Sequence, residues 1–271
     1  MTDRYAVIGN PIAHSKSPLI HAAFARQCGQ VLTYEALLAP LDGFAVAVSD
    51  FREAGGKGMN VTVPFKLEAL ALADRPTERA QLAGAANTLR FDGSHVFADN
   101  TDGVGLVRDI RDRLGVALRD RRILILGAGG AARGVILPLL EERPALLAIA
   151  NRSMGKAVAL QTQFASFGTL AAGCFNDFAG ACFDVVINAT SASLGAERLH
   201  LPDGLFASEA LAYDMVYGKG ETPFLADARA GGASRLADGL GMLVGQAAES
   251  FYIWRGVRPD TEPVLRLLRG G

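Results

Sequence analysis

The run Arg122-Ile123-Leu124-Ile125-Leu126-Gly127-Ala128-Gly129-Gly130-Ala131-Ala132 constrains this chain more than any other stretch. Consecutive aliphatic residues, then glycines, then an apolar segment too long for a strand read as a buried strand turning directly into a helix. That order opens a parallel β-α-β unit, so the following part of the chain is expected to be α/β with a doubly wound, Rossmann-like sheet. Gly127, Gly129 and Ala132 fit the G-x-G-x-x-G/A spacing. The first residue makes the tight turn, the second lets backbone approach a pyrophosphate, and the third packs helix on strand. The free amides along Gly127, Ala128, Gly129, Gly130 and Ala131 would then face a dinucleotide's phosphates. Any tight strand-to-helix turn also favours glycine, so the pattern alone leaves both readings open.

The next strand, residues 145–150, ends in Asn151-Arg152-Ser153, with Lys156 one turn later. In the usual arrangement an acidic residue about 20 residues beyond the first glycine holds the ribose 2′-hydroxyl. Here that position offers an amide, a guanidinium, a hydroxyl and an ammonium, and no carboxylate. A carboxylate would repel a 2′-phosphate and these groups attract one, so the cofactor implied is NADP rather than NAD. The alternative is a merely solvated basic helix start.

The 271 residues suffice for two domains of ordinary size, and 50% hydrophobic residues with a net charge of −1 describe a globular protein. The near-neutral balance argues against nucleic acid as a partner. Cys28, Cys174 and Cys182 are scattered and odd in number, so neither a disulfide framework nor a metal cluster is expected. Without a charged-then-apolar leader or a membrane-length apolar run, the protein is expected in the cytoplasm, without membrane contact.

In the first part of the chain, residues 5–8 read as a strand closed by Gly9-Asn10-Pro11. Ser17 before Pro18 has the form of a helix cap followed by proline at the first helical position. Ser15 and Ser17 thus sit at a helix's positive end, either as plain caps or as receivers of a small carboxylate. A strand at 32–36 and a helix at 42–54 follow, then Gly55-Gly56-Lys57-Gly58 as a turn. In the strand Met59-Asn60-Val61-Thr62-Val63, alternation sets Val61 and Val63 on one face and Asn60 and Thr62 on the other, with Pro64 ending it. Lys66 then falls in the first turn of a helix over 65–73, where the helix dipole disfavours a cation by about 0.3–1 kcal/mol. A residue that breaks a local rule is a functional candidate, set against a lysine simply pointing into water. Asp92-Gly93 between short apolar runs signals a hairpin. Asp102 opens a helix expected over 104–114, as its cap or as a functional carboxylate.

Beyond the glycine turn, a helix at 154–167 and strands at 183–188, 211–217 and 234–237 complete the doubly wound pattern. Ligands of such sheets bind beyond the carboxyl ends of the strands, so Thr190, Ser191, Met215 and Tyr217 are expected to line that side. A last apolar helix runs to about residue 255. Gln246 on it is either a satisfied core amide or a substrate donor.

These runs, with Ala85-Ala86-Asn87-Thr88, Asp99-Asn100-Thr101-Asp102-Gly103 and Asp238-Gly239-Leu240-Gly241-Met242, together resemble the shikimate/quinate dehydrogenase family, in order and over nearly the whole chain. The resemblance implies an NADP-dependent shikimate dehydrogenase that reduces 3-dehydroshikimate, in aromatic amino-acid biosynthesis. It implies a substrate domain of mixed sheet, 1–103 plus 240–271, and an NADP-binding Rossmann-like domain, 104–239. The substrate would lie in a cleft that opens and closes. By the same resemblance Lys66 and Asp102 are the catalytic pair, and Ser15 and Ser17 hold the substrate carboxylate. Asn60, Thr62, Asn87, Asp102 and Gln246 meet the ring hydroxyls, Tyr217 is another substrate contact, and Met215 and Gly239 stand beside the nicotinamide. Family members often carry threonine and a second arginine where this chain has Ser153 and Lys156; lysine keeps the charge without the planar fork. Ala86 and Ala192-Ser193-Leu194 also depart from the commonest residues.

The chemistry fits independently of the family. Reducing a ketone leaves an alkoxide that needs a proton, so a positioned acid is required, and Lys66 can donate. Two rivals remain at this level: a quinate/shikimate dehydrogenase with relaxed substrate or cofactor use, and a non-catalytic NADP-binding regulator. Monomer and homodimer are equally compatible with the sequence.

Overall fold

A computed structural model describes residues 2–192, 198–218 and 220–270; Ser193 and Leu194 lie outside them. The chain divides into two compact units, Met1–Gly105 with Val244–Gly271, and Leu106–Leu243.

The first unit is built on strands β1 (Asp3–Gly9), β2 (Leu32–Leu38), β3 (Gly56–Val61), β4 (Arg75–Pro76), β5 (Thr88–Asp92) and β6 (His95–Asp99), in the order β2-β1-β3-β5-β6-β4. β2, β1 and β3 run parallel, and β5 is antiparallel to both β3 and β6, so the sheet is mixed. Alternation along β1 sends Ala6 and Ile8 into a core with Phe44, Phe51, Met59, Phe65 and Leu89, beneath helices α2 (Phe44–Glu53) and α3 (Lys66–Leu72). On the other side Tyr5 stacks on Trp254 of helix α9 (Leu240–Arg255), ring centroids 4.7 Å apart.

Several sequence expectations for this unit are revised. Helix α1 spans Ser17–Gln27 with Lys16 at its cap, so Ser17 is already helical and buried and does not cap. The glycines at 56 and 58 belong to β3. An added Cβ at Gly58 would lie 2.5 Å from Trp254 Nε1, whose N–H donates to Leu89 O at 2.9 Å, so glycine makes room for the indole. β3 ends at Val61, and Val63 is exposed, not paired with Val61 on a buried face, because the chain has turned away: Phe65 N–H already donates to Thr62 O. The helix expected at 104–114 is α5 (Asp102–Arg108) continued by a π-helical turn, Asp109–Arg113. Helices α4 (Glu78–Ala83) and α10 (Glu262–Arg269) complete this unit.

The second unit is a six-stranded sheet in the order β12-β11-β10-β7-β8-β9, all parallel. Its strands are β7 (Arg122–Leu126), β8 (Leu146–Ala150), β9 (Leu170–Gly173), β10 (Phe183–Asn188), β11 (Phe206–Asp214) and β12 (Arg235–Asp238). Strand order reverses between β7 and β10, as in a doubly wound dinucleotide-binding sheet. Helices α6 (Gly130–Glu141), α7 (Met154–Gln163) and α8 (Pro223–Ala230) connect the strands. The core gathers Leu124, Leu126, Ala148, Phe183, Val186, Ala212 and Phe224. β9 had no clear apolar signature, and β11 ends three residues before the expected Tyr217 because Asp214 is tied down by side chains described below.

Candidate active site and cofactor cradle

In the first unit Lys66 is the opening residue of α3, and its ammonium donates to Asp102 Oδ2 at 2.6 Å. The two side chains are 31% and 20% exposed, so a ligand can reach both. Asp102 is not a cap. Its own N–H is taken by Asn100 Oδ1 at 3.2 Å, which frees the carboxylate for Lys66 and for Asn87 Nδ2 at 2.8 Å. The buried amide of Asn87 is oriented by its partners: Oδ1 accepts the N–H of Thr101 at 2.9 Å, so Nδ2 must face Asp102. Gln246 joins the same cluster, its Oε1 accepting from Asn87 Nδ2 and Thr101 Oγ1, both at 3.3 Å.

Asn60 is buried within the same network. Its Oδ1 accepts the Tyr34 hydroxyl at 2.7 Å, and its Nδ2 donates to Asn87 O, Thr88 Oγ1 and Ser250 Oγ at 3.2, 3.3 and 2.9 Å. Both ends of the amide are spent within the protein, so Asn60 braces its neighbours. Ser17 is hydrogen-bonded to Tyr34, and Ser15 Oγ accepts the Ser17 N–H at 3.3 Å. A continuous polar chain therefore runs from the α1 start through Tyr34, Asn60 and Asn87 to Asp102 and Lys66. The half-buried Thr62 lies just past β3, its methyl packed where an added Cβ at Gly9 would lie, 2.5 Å away.

Behind this chain stand residues the sequence did not single out. Asp99, itself buried, accepts from Arg79 at 2.6 and 2.5 Å and from Thr77 Oγ1 at 2.7 Å. Glu249 bridges Arg79 to Arg258. His21 is fully buried and stacked on Tyr34, and burial pushes its imidazole down to about 3, against a hydrogen bond to Asn60 that favours the protonated ring. Its position on an apolar helix face was the only sequence signal.

In the second unit the glycine turn is as constrained as its sequence demands. Gly127 has φ of 104°, its N–H donates to Ala150 O at 2.7 Å, and an added Cβ would lie 3.0 Å from the Thr190 methyl. Gly129 precedes α6 without a side-chain cap, and open space surrounds both Gly129 and Gly130. The first amides of α6 are thus available to an anion. Arg133 in the next turn has a buried Nε with no partner. Beyond β8, Asn151 Nδ2 donates to Ser153 O at 2.9 Å, folding the Asn151-Arg152-Ser153 turn, and the first turn of α7 carries Lys156 and no acidic residue. Arg152, Ser153 and Lys156 thus lie together at the start of α7, where a 2′-phosphate is expected from the sequence.

Two buried side chains organise the neighbouring loops. Asn188 Oδ1 accepts both the N–H and the hydroxyl of Thr190, at 3.1 and 2.7 Å, fixing Thr190 and Ser191 beyond β10. Asn188 Nδ2 donates to Asp214 Oδ1 at 3.0 Å, and Asp214 also accepts from Val216 N–H and the Thr222 hydroxyl. The Met215–Tyr217 loop is held in this way, and Tyr217 is partly exposed on it. Gly239 closes against Met215, since a Cβ there would overlap the Met215 backbone. Among the described residues no cluster of His, Cys, Asp and Glu could hold a metal, and no helix is long and apolar enough to cross a membrane.

Three family descriptions match the chain: a shikimate dehydrogenase substrate binding domain over residues 7–89, a shikimate/quinate 5-dehydrogenase over 109–196, and a shikimate 5′-dehydrogenase C-terminal domain over 239–269. A shikimate dehydrogenase (NADP(+)) of Aromatoleum aromaticum is 66% identical over 270 residues, covering 98% of this chain and 97% of the relative. Among solved structures, an Ael1 enzyme from Pseudomonas putida superposes with a TM-score of 0.95 at 55% identity over 98% of each chain. The shikimate 5-dehydrogenase of Thermus thermophilus, solved with NADP(H) and shikimate, gives 0.87 at 34% identity over 99% of each chain.

Proposed function

The chain belongs to the shikimate dehydrogenase family, and from that premise we propose how its residues divide the work of the reaction. It is an NADP-dependent oxidoreductase that interconverts 3-dehydroshikimate and shikimate on the route to aromatic amino acids. When bound, NADPH supplies the hydride that reduces the ketone carbon.

Lys66 Nζ donates the proton that the resulting alkoxide oxygen needs, and withdraws it in the reverse direction. Asp102 holds that ammonium in place through Oδ2 and accepts a substrate hydroxyl. Asn87 and Gln246 fix the neighbouring ring hydroxyls, with Thr62 at the strand end. Asn60 acts one step back, by holding Asn87, Thr88 and Ser250. Ser15 and Ser17, at the start of α1, receive the carboxylate. In the second unit the amides of Gly127, Ala128, Gly129, Gly130 and Ala131 hold the pyrophosphate. Asn151, Arg152, Ser153 and Lys156 take the 2′-phosphate, Thr190 and Ser191 line the cofactor, Met215 and Gly239 flank the nicotinamide, and Tyr217 contacts substrate.

The observation that carries this reading is the Lys66–Asp102 pair at 2.6 Å, tied through Asn87 to Gln246 in one cluster. A non-catalytic regulator would have no use for an accessible ammonium braced in this way. The deciding experiment is a steady-state assay with shikimate and quinate, each with NADP and NAD. Turnover of shikimate with NADP well above the other three pairings supports the reading; preferred use of quinate or of NAD replaces it with the relaxed-specificity alternative. We take the enzyme to be cytoplasmic and monomeric or homodimeric, states that analytical ultracentrifugation separates.

A further inference from the structure

Tyr213, next to last in β11, is fully buried, yet its hydroxyl has two polar partners. It donates to Asp109 Oδ2 at 2.7 Å and accepts the backbone N–H of Met242 at 3.2 Å. Burial raises the phenol well above its ordinary value, and the charge of Asp109 adds to that, so the proton stays on the oxygen and the hydroxyl always donates toward the carboxylate. Asp109 is also buried, at the start of the π-helical turn, and Arg113 donates to both its oxygens. Turns of this kind are rare and recur at functional sites.

Two glycines complete the arrangement. At Gly241 a Cβ would overlap the Asp109 carboxylate, so only glycine lets the charge approach the opening of α9. There the carboxylate faces the positive end of the helix, and the Tyr213 hydroxyl satisfies the amide of Met242, one of that end's free donors. At Gly239 a Cβ would overlap the Met215 backbone, and the Gly239 N–H donates to Val216 O at 3.2 Å. Three separate segments, the 109–113 turn, the end of β11 and the start of α9, therefore converge on one buried hydroxyl. Met215 lies two residues beyond Tyr213, and Gly239 three residues before Met242.

We propose that Asp109, Arg113 and Tyr213 are positioning residues for the nicotinamide end of the cofactor, holding the Asp238–Met242 segment and the Met215–Tyr217 loop at a fixed separation. This rests on the reading of the second unit as the NADP-binding unit, with Met215 and Gly239 at the nicotinamide. None of the three touches the cofactor. They act by keeping the two loops that do from moving apart.

The test is a pair of calorimetric titrations on the full-length enzyme, with NADPH and with 2′,5′-ADP, which carries the 2′-phosphate and lacks the nicotinamide. In Tyr213→Phe, which keeps the ring and removes the hydroxyl, the NADPH Kd rises about tenfold, equivalent to about 1.4 kcal/mol, and the 2′,5′-ADP Kd stays within about twofold. Asp109→Asn shifts NADPH in the same direction and serves if the phenylalanine variant does not fold. A general loss of folded protein would lower the binding stoichiometry for both ligands without this split. Equal weakening of the two ligands, or an NADPH Kd unchanged in both variants, overturns the proposal. Wild-type enzyme binding neither ligand would instead overturn the NADP reading beneath it.

Discussion

The imidazole of His21 lies flat on the phenol ring of Tyr34, centroids 4.2 Å apart and planes 7° from parallel, with no partner for Nε2. Held at about 3 against an ordinary 6.5, this ring refuses a proton that the unfolded chain accepts. The sign follows directly. Above pH 6.5 both states are neutral at this site and stability is unaffected, whereas between about 6.5 and 3 the unfolded chain binds the extra proton and gains, by up to about 1.4 kcal/mol per pH unit. In His21→Phe that contribution is absent. Urea denaturation at a series of pH values should show the wild type losing stability relative to the variant as pH falls; a pH-independent difference would contradict a buried neutral imidazole.

Arg79 is the principal cation on the buried Asp99 carboxylate, whose side chain is only 3% exposed. Removing one partner of a buried pair leaves an uncompensated charge, so Arg79→Ala should lower unfolding stability by about 3 kcal/mol. The comparison is with Arg4→Ala, which breaks an exposed pair with Glu35 and should change stability by less than about 1 kcal/mol. Equal effects would mean that the Arg79–Asp99–Glu249 network does not brace the site.

Gly127 is held in the left-handed region with the Thr190 methyl where a side chain would begin. Gly127→Ala should lower stability by about 1–2 kcal/mol from backbone strain alone and weaken NADP binding further by pushing the turn outward. Thermal unfolding with and without NADP measures both; a variant as stable and as tight as wild type would show that the turn does not need glycine.

Arg152 and Lys156 should each contribute to the choice of cofactor through the 2′-phosphate. Alanine at either position is expected to raise the KM for NADP about tenfold, the equivalent of one charge-assisted hydrogen bond, and to leave the KM for NAD nearly unchanged. A parallel rise for both cofactors would move these residues away from the phosphate.

Much of this was legible in the chain, for identifiable reasons. The glycine turn, the Asp92-Gly93 hairpin and Lys66 at a helix start are local signals, set by backbone sterics and the helix dipole within a few residues, and each is found where the sequence put it. What escaped is long-range. Tyr34 looks like any strand tyrosine until Asn60 is beside it, and nothing near Asn60 in sequence announces that Tyr34, Asn87 and Ser250 engage its amide. Asp102 was ambiguous between cap and functional carboxylate because only the position of Asn100 in space decides which takes the helix amide. Gly56 and Gly58 were misread as a turn because what requires them is contact in space: the Phe51 ring at Gly56, and at Gly58 an indole from near the other end of the chain.

The central claim is that the ammonium of Lys66, braced by Asp102, supplies the proton in ketone reduction. Its most direct test is the steady-state kinetics of Lys66→Ala with shikimate and NADP. General acid–base catalysis of this kind contributes about 100-fold to 10,000-fold, so kcat should fall by at least about 100-fold while the KM for shikimate changes by no more than a few-fold. A kcat equal to that of the wild type would remove the lysine from the mechanism.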